Sequence, residues 1–144
     1  MRGPIQSVEV SYFLHATEDH ARVNSAVLQL TAAGAAPEFE EVEGHYGNKI
    51  VRARLHLTGD GAAKAIRRIV AGLSDQLKEE LSREIEAHLD EHSALFLRLD
   101  KQRLFSGSLA MGSGDSVRVK VKPRAFLIRG GAPQFYSKLL REGD

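Results

Sequence analysis

The sequence predicts an α+β fold, a two-layer sandwich in which a largely antiparallel sheet carries helices on one face. Two observations lead to it. Several segments alternate apolar and polar residues with a period of two, the mark of a strand with one buried and one wet face; Val51 to Leu57 and Val117 to Lys122 are the clearest. Segments of helical period separate the strands, so the order reads strand, helix, hairpin, helix pair, two strands.

Taken in order, Ile5 to Ala16 reads as a strand with Val8, Val10, Tyr12 and Leu14 on one face and Glu9, Ser11, Phe13 and His15 on the other. Thr17 is the expected N-cap of a first helix, with Glu18 and Asp19 in the first turn, where carboxylates favour the helix dipole. Val23, Ala26, Val27 and Leu30 form its apolar stripe, and Gly34 and Pro37 end it. Glu38 to Glu43 reads as a short acidic strand. The run from Gly44 to Asn48 supplies two glycines and an asparagine for a tight turn, and Ile50 to Leu57 returns as the hairpin partner.

Asp60 is the expected cap of the next helix, whose stripe is Ala62, Ala65, Ile66, Ile69 and Val70. Gly72 and Ser74 interrupt it. Asp75 to His88 continues as a second helical pattern through Leu77, Leu81 and Ile85 toward Leu89, with charged outer faces. Ala94 to Phe105 returns to strand character, with Leu95, Leu97 and Leu99 opposite Phe96, Arg98 and Asp100. A glycine-rich turn leads to Val117–Lys122, ended near Pro123. Ala125 to Ile128 reads as extended, and a terminal helix follows Gly130 with Phe135, Tyr136, Leu139 and Leu140 as its apolar side.

With 144 residues and neither repeat nor linker, the chain reads as a single domain over 1–144. The absence of cysteine excludes disulfides, thiolate metal sites and cysteine nucleophiles, and fits a reducing compartment. No apolar run approaches the roughly 20 residues of a membrane span, and the N-terminus lacks the pattern of a signal peptide. A soluble cytoplasmic protein is expected, with neither membrane nor cofactor. Net charge is +1, but residues 1–48 hold two basic and seven acidic side chains, and residues 49–144 hold eighteen basic and twelve acidic. Such asymmetry hints at a polyanionic partner.

The wet face of the strands carries cations where neutral polar groups would serve. Lysine and arginine on solvent faces keep sheets soluble and block edge aggregation. Repetition of the pattern on two strands, with Arg98 on a third, favours a phosphate backbone as the partner. Arg52, Arg54, Arg98, Lys101, Arg118, Lys120 and Lys122 are the expected phosphate contacts. In the hairpin, Lys49 and His45 would meet a phosphate while Tyr46 stacks on a base. The second reading is a protein-interaction or homodimer module whose basic face meets acids such as Glu40, Glu41 and Glu43 of another copy.

A third reading is a metal-dependent hydrolase. His88, Glu91 and His92 match an H-x-x-E-H string that binds zinc when both histidines share one helix face. Here they fall at the end of the helical pattern with no third ligand evident, and a structural role is preferred. The glycine-rich segment Gly107 to Gly114 lacks the Lys-Thr ending and following helix of a phosphate loop. No catalytic constellation emerges, and the chain is not expected to be an enzyme.

Glu43-Gly44-His45-Tyr46-Gly47-Asn48-Lys49-Ile50, followed by Leu95-Phe96-Leu97-Arg98-Leu99-Asp100-Lys101-Gln102, resembles an archaeal family of small RNA-binding proteins, also described as predicted exosome subunits. The resemblance extends from the first strand through Lys122. It implies a fold similar to the large-subunit ribosomal protein that binds 5S rRNA, a cytoplasmic non-enzymatic role, ribosomal or other structured RNA and exosome proteins as partners, and self-association. It assigns no chemical role to an individual residue.

Overall fold

Ten residues of alternating character, Ile5–Leu14, form β1, the central strand of a five-stranded antiparallel sheet. A computed structural model describes residues 3–34, 36–44, 46–124 and 131–142. The elements that follow β1 are α1 (His20–Thr31), β2 (Glu38–Glu43), β3 (Lys49–Thr58), α2 (Gly59–Gly72), α3 (Asp75–Arg83), a 3-10 turn (Ile85–His88), β4 (Leu95–Asp100), α4 (Lys101–Phe105), β5 (Ser116–Pro123) and α5 (Ala132–Glu142). The strand order is β2-β3-β1-β5-β4, and every neighbouring pair is antiparallel. The sandwich expected from the sequence is the one observed.

One sheet face is dry. Val8, Val10, Tyr12 and Leu14 lie beside Ala53, Leu55 and Leu57 of β3, and beside Val117, Val119 and Val121 of β5. Leu95, Leu97 and Leu99 of β4 complete the layer. Against it pack Val23 and Val27 of α1, the Ala62, Ala65, Ile66, Ile69 and Val70 stripe of α2, and Tyr136, Leu139 and Leu140 of α5. Burying each large aliphatic side chain contributes roughly 1.5–3 kcal/mol, which fixes strand register, because a slip of one residue would turn the stripe into water. The two buried tyrosines keep their hydroxyls satisfied. Tyr12 donates to Asn24 Oδ1 at 2.7 Å, and Tyr136 donates to the Ser93 carbonyl at 2.8 Å. Burial pushes the Tyr12 hydroxyl up to about 12.

Local chemistry moves several boundaries. Asp19, not Thr17, caps α1, its carboxylate accepting from the Arg22 amide at 3.2 Å. That helix stops at Thr31, ahead of Gly34, because Ala32 takes the left-handed conformation at φ 52°. Asp60 sits within the first turn of α2 and does not cap it; Thr58 holds the cap position without a side-chain bond. The Asp75–His88 pattern breaks at Glu84 into a helix and a 3-10 turn. Ser74 caps α3 through the Leu77 amide. The expected strand over 94–105 ends at Asp100, whose carboxylate accepts from the Arg103 amide and starts α4. Ala125–Ile128 lies outside the described residues.

The β2–β3 hairpin turns as expected. The Gly44 amide donates to the Asn48 carbonyl, and Gly47 adopts φ +78°. A Cβ at Gly44 would press on the Asn48 side chain and the Ile50 methyl, which would have to move aside, while the left-handed backbone at Gly47 favours glycine there. The two outer strands are protected differently. The outer edge of β4 is bridged by Met111 and Leu89, with the Gly112 amide donating to the Arg98 carbonyl. At the other edge, β2 is exposed along nearly its whole length and carries four glutamates, which discourage edge-to-edge pairing.

Candidate functional site

Strand parity places the outward residues of five strands on the face opposite the helices. Their register writes out the surface row by row. One row runs Arg98, Arg118, Ser11, Arg54 and Glu38 across the whole sheet. The next holds Phe96, Lys120, Glu9 and His56. Toward one end of β1 stand Lys122, Ser7 and Thr58; toward the other stand Phe13, Arg52 and Glu40. Ser11 on the middle strand is short, so longer side chains from β3 and from β4–β5 rise on both sides of it. Two depressions result, of about 360 Å³ beside Phe96 and about 180 Å³ beside Phe13, and Ser11 and Arg118 line both.

The structure thus gathers Arg52, Arg54, Arg98, Arg118, Lys120 and Lys122 on one face, as the alternation predicts. Their charges are not equally available. Arg52 is bonded to Glu40, and Arg54 lies 3.2 Å from Glu9 Oε1. The arginine pulls the Glu40 carboxyl below its usual range, first by hydrogen bonding and then by its charge. On the other side of Ser11, no carboxylate among the described residues lies within ion-pair distance of Arg98, Arg118, Lys120 or Lys122. Lys120 rests over the Phe96 ring at 5.3 Å from its centroid, and Phe96 is 40% exposed.

The remaining expected contacts do not join this set. Lys101 is a correction: it is 2% exposed and belongs to the interior. Its ammonium donates to the Phe13 carbonyl, to Glu18 Oε1 at 2.9 Å and to Asp115 at 3.2 Å. As the first residue of α4 it turns inward and ties the end of β1 to the loop before β5. Lys49 also faces the helix side of the sheet, in register with Glu43. Tyr46 stands 91% exposed in the hairpin turn, outside the paired rows of the sheet. His45 lies outside the described residues.

Sequence reasoning passed over Phe96, Glu9 and Glu40 as parts of this surface. The signal for Phe96 was present: an aromatic ring shares the wet side of its strand with Arg98. The two glutamates could not be assigned because their partners come from neighbouring strands.

Among the described residues, one group of ligand-type side chains lies close enough to hold a metal ion: His15, Glu18 and Asp115. The Lys101 ammonium already sits among them, and His15 Nε2 lies 3.4 Å from Asp115. Burial raises the Glu18 carboxyl, but the His15 amide and Lys101 outweigh it and hold the carboxyl below its usual value. A cation is therefore supplied by the chain itself. His88 ends the 3-10 turn while Glu91 and His92 lie in the loop beyond it, so the two histidines do not share the helix face that chelation needs. Asp90 organises that loop by accepting from the His92 and Ala94 amides at 2.9 Å. No helix among the described residues is long and apolar enough to cross a membrane.

Comparison with known proteins now bears on this geometry. Residues 7–123 match the family described as RNA binding. The chain belongs to that RNA-binding family. Its relatives include an RNA-binding protein of Pyrococcus abyssi, 30% identical over 88% of each chain. Among solved structures, it is similar to a DUF54 protein from Methanothermobacter thermautotrophicus, with a TM-score of 0.72 and 27% identity over 98% of both chains. A second DUF54 protein, from Archaeoglobus fulgidus, gives a TM-score of 0.75 at 27% identity, covering 97% of this chain and 99% of that one. The RNA-binding family match spans nearly all of β1 and runs to the end of β5, so all five strands of the open face lie within it and α5 lies beyond it.

Proposed function

We propose that this protein binds RNA, without catalysing a reaction, on the open face of its sheet. Arg98, Arg118, Lys120 and Lys122 hold phosphates, and Arg52 and Arg54 contribute beside them. One observation carries the reading. Arg98 and Arg118 face each other directly across β4 and β5, with no carboxylate among the described residues to neutralise them. Like charges in register destabilise a sheet. Such a pair is understandable where an anionic ligand supplies the missing charge. The hairpin residues His45, Tyr46 and Lys49 are proposed as outlying contacts for a longer strand. The finer assignment, ribosomal or other structured RNA and an accessory role to the exosome or to rRNA processing, rests on the family resemblance.

The test is fluorescence anisotropy with a labelled RNA across a salt series. Four phosphate contacts to a single strand predict that log K falls against log salt with a slope of roughly −3. Absence of binding at low salt, or affinity indifferent to salt, would remove the phosphate reading. Sedimentation at several concentrations, with and without RNA, separates it from a homodimer in which the same face meets Glu41 and Glu43 of a second copy.

A further inference from the structure

We infer that the ligand of the open face is an unpaired segment of RNA laid along β5, with a base stacked on Phe96. This deepens the proposed function and rests on it.

Three features converge. The cations outside ion pairs are not scattered. Arg118, Lys120 and Lys122 stand at every second residue of one strand, about 7 Å apart in an extended chain. That interval is comparable to the step between successive phosphates of an extended nucleic-acid strand, so one β-strand presents a ladder of charges in phosphate register. Arg98 lies level with Arg118 on β4 and doubles the charge at one rung.

The second feature is the ring beside the ladder. Phe96 is 40% exposed on the wet side of β4, in register with Lys120 and lining the larger depression. A solvent-facing aromatic beside cations offers a stacking surface for a base, and a base can reach it only where it is not already paired and stacked. The Lys120 ammonium lies over that ring, at 5.3 Å from its centroid. A stacking base would replace it there and leave the ammonium to a phosphate. Duplex RNA keeps its bases inside and would use the cations but not the ring.

The third feature sets the direction of the track. Across the sheet from β5 toward β2, charges alternate in sign: Arg54 is met by Glu9, Arg52 by Glu40, and Glu38 stands beyond Arg54. A polyanion crossing the strands would meet carboxylates. One following β5 meets Lys122, Lys120 and Arg118 in turn before Ser116, with Glu9 beside Lys120 already bonded to Arg54.

The chain contains no tryptophan, so Phe96→Trp introduces a single indole, excited apart from the tyrosines, that keeps an aromatic face at this position. Single-stranded RNA should quench its emission on binding, and duplex RNA of the same length should not. Phe96→Leu should lower affinity for the single strand about tenfold, the scale of one lost base–aromatic stack, with the salt slope and duplex affinity unchanged. Because Phe96 points away from the core, both variants should keep the far-UV circular dichroism of the parent, and Phe96→Tyr should restore single-strand affinity. Salt-dependent binding in which duplex competes equally, or in which Phe96→Leu changes nothing, would overturn the inference and leave the RNA reading intact. Failure of both RNAs to bind would overturn both.

Discussion

The two halves of the open face are built from the same residue types and treat them differently. On the β2–β3 side, arginines are closed by glutamates: Arg52 by Glu40 from the neighbouring strand, Arg54 by Glu9 from β1. On the β4–β5 side, four cations make no ion pair among the described residues, and two of them are directly opposed; Glu9 stands beside Lys120 in register but bonds Arg54. Exposed ion pairs of the first kind add little to stability, because solvent screens them, and they keep the surface neutral. The second kind contributes nothing to the isolated fold and leaves a field for a ligand. Presence of a cation on a sheet face is therefore a poor guide to function; what matters is whether a neighbouring strand brings its counter-ion.

Lys101 is the extreme of the paired class and should give the largest effect on stability. Its ammonium is shared by Glu18, Asp115 and the Phe13 carbonyl at 2% exposure. Lys101→Met leaves those groups uncompensated and should destabilise the protein by about 3 kcal/mol, the lower end for removing one partner of a buried pair. Denaturant unfolding measures this, and RNA affinity of the folded fraction should not change. The same site sets an acid limit. Glu18 has a folded-state pKa below its ordinary value of 4.5, so its contribution is complete above that value and is lost as pH falls through the lower folded value. The parent should lose this contribution on acidification below about pH 4.5, and Lys101→Met should show a weaker loss. An unchanged acid profile in the variant would place the stabilisation elsewhere.

The converse experiment removes unpaired charge. Arg118→Gln with Lys120→Gln should leave the melting temperature nearly untouched and weaken RNA binding about 100-fold, from the loss of two charge-assisted contacts of roughly 1.5 kcal/mol each. A fall in stability that matched the fall in affinity would erase the distinction between the two halves.

The β2–β3 half can also be converted. Glu9 lies between His56 and Lys120 in the register and bonds Arg54. Glu9→Gln releases that arginine, so affinity should rise several-fold and the salt dependence should steepen by about 0.7 for one added phosphate contact. Stability should change by less than about 1 kcal/mol. Weaker binding in this variant would mean that Glu9 itself contacts the ligand.

Much of this architecture was written locally. Alternation in Ile5–Leu14, Lys49–Thr58 and Ser116–Pro123 identified the strands and their wet sides, because side-chain direction in a strand depends only on position parity. The hairpin followed from glycines whose required conformation is a property of a few residues. Pairing was not legible. The sequence of β3 alone does not show that Arg54 will lie beside Glu9, since that depends on β1 being its neighbour. Lys101 failed for a related reason: it extends a basic strand in the sequence, yet it begins a helix capped by Asp100, and its partners lie 83 and 14 residues away. Phe96 was placed on the correct side but not recognised as part of a site, because its meaning comes from Lys120 on the adjacent strand.

The finest test of the contrast between the halves is the cost of the unpaired pair itself. Arg98 and Arg118 face each other as like charges across β4 and β5. Arg98→Thr removes one charge, retains a residue suited to a strand, and touches no ion pair among the described residues. It should raise stability by a few tenths to about 1 kcal/mol, the scale of like-charge opposition in a sheet, while lowering RNA affinity and making the salt slope shallower by about 0.7. The stability gain should shrink as ionic strength rises, because both guanidinium groups face solvent and their repulsion is screened over about 10 Å at 0.1 M salt. A variant less stable than the parent at every ionic strength would show that the arginine stems pack on the sheet enough to offset their repulsion. The unpaired half would then need no ligand to explain its persistence. Greater stability together with weaker binding would show that folding and function place opposite demands on this row.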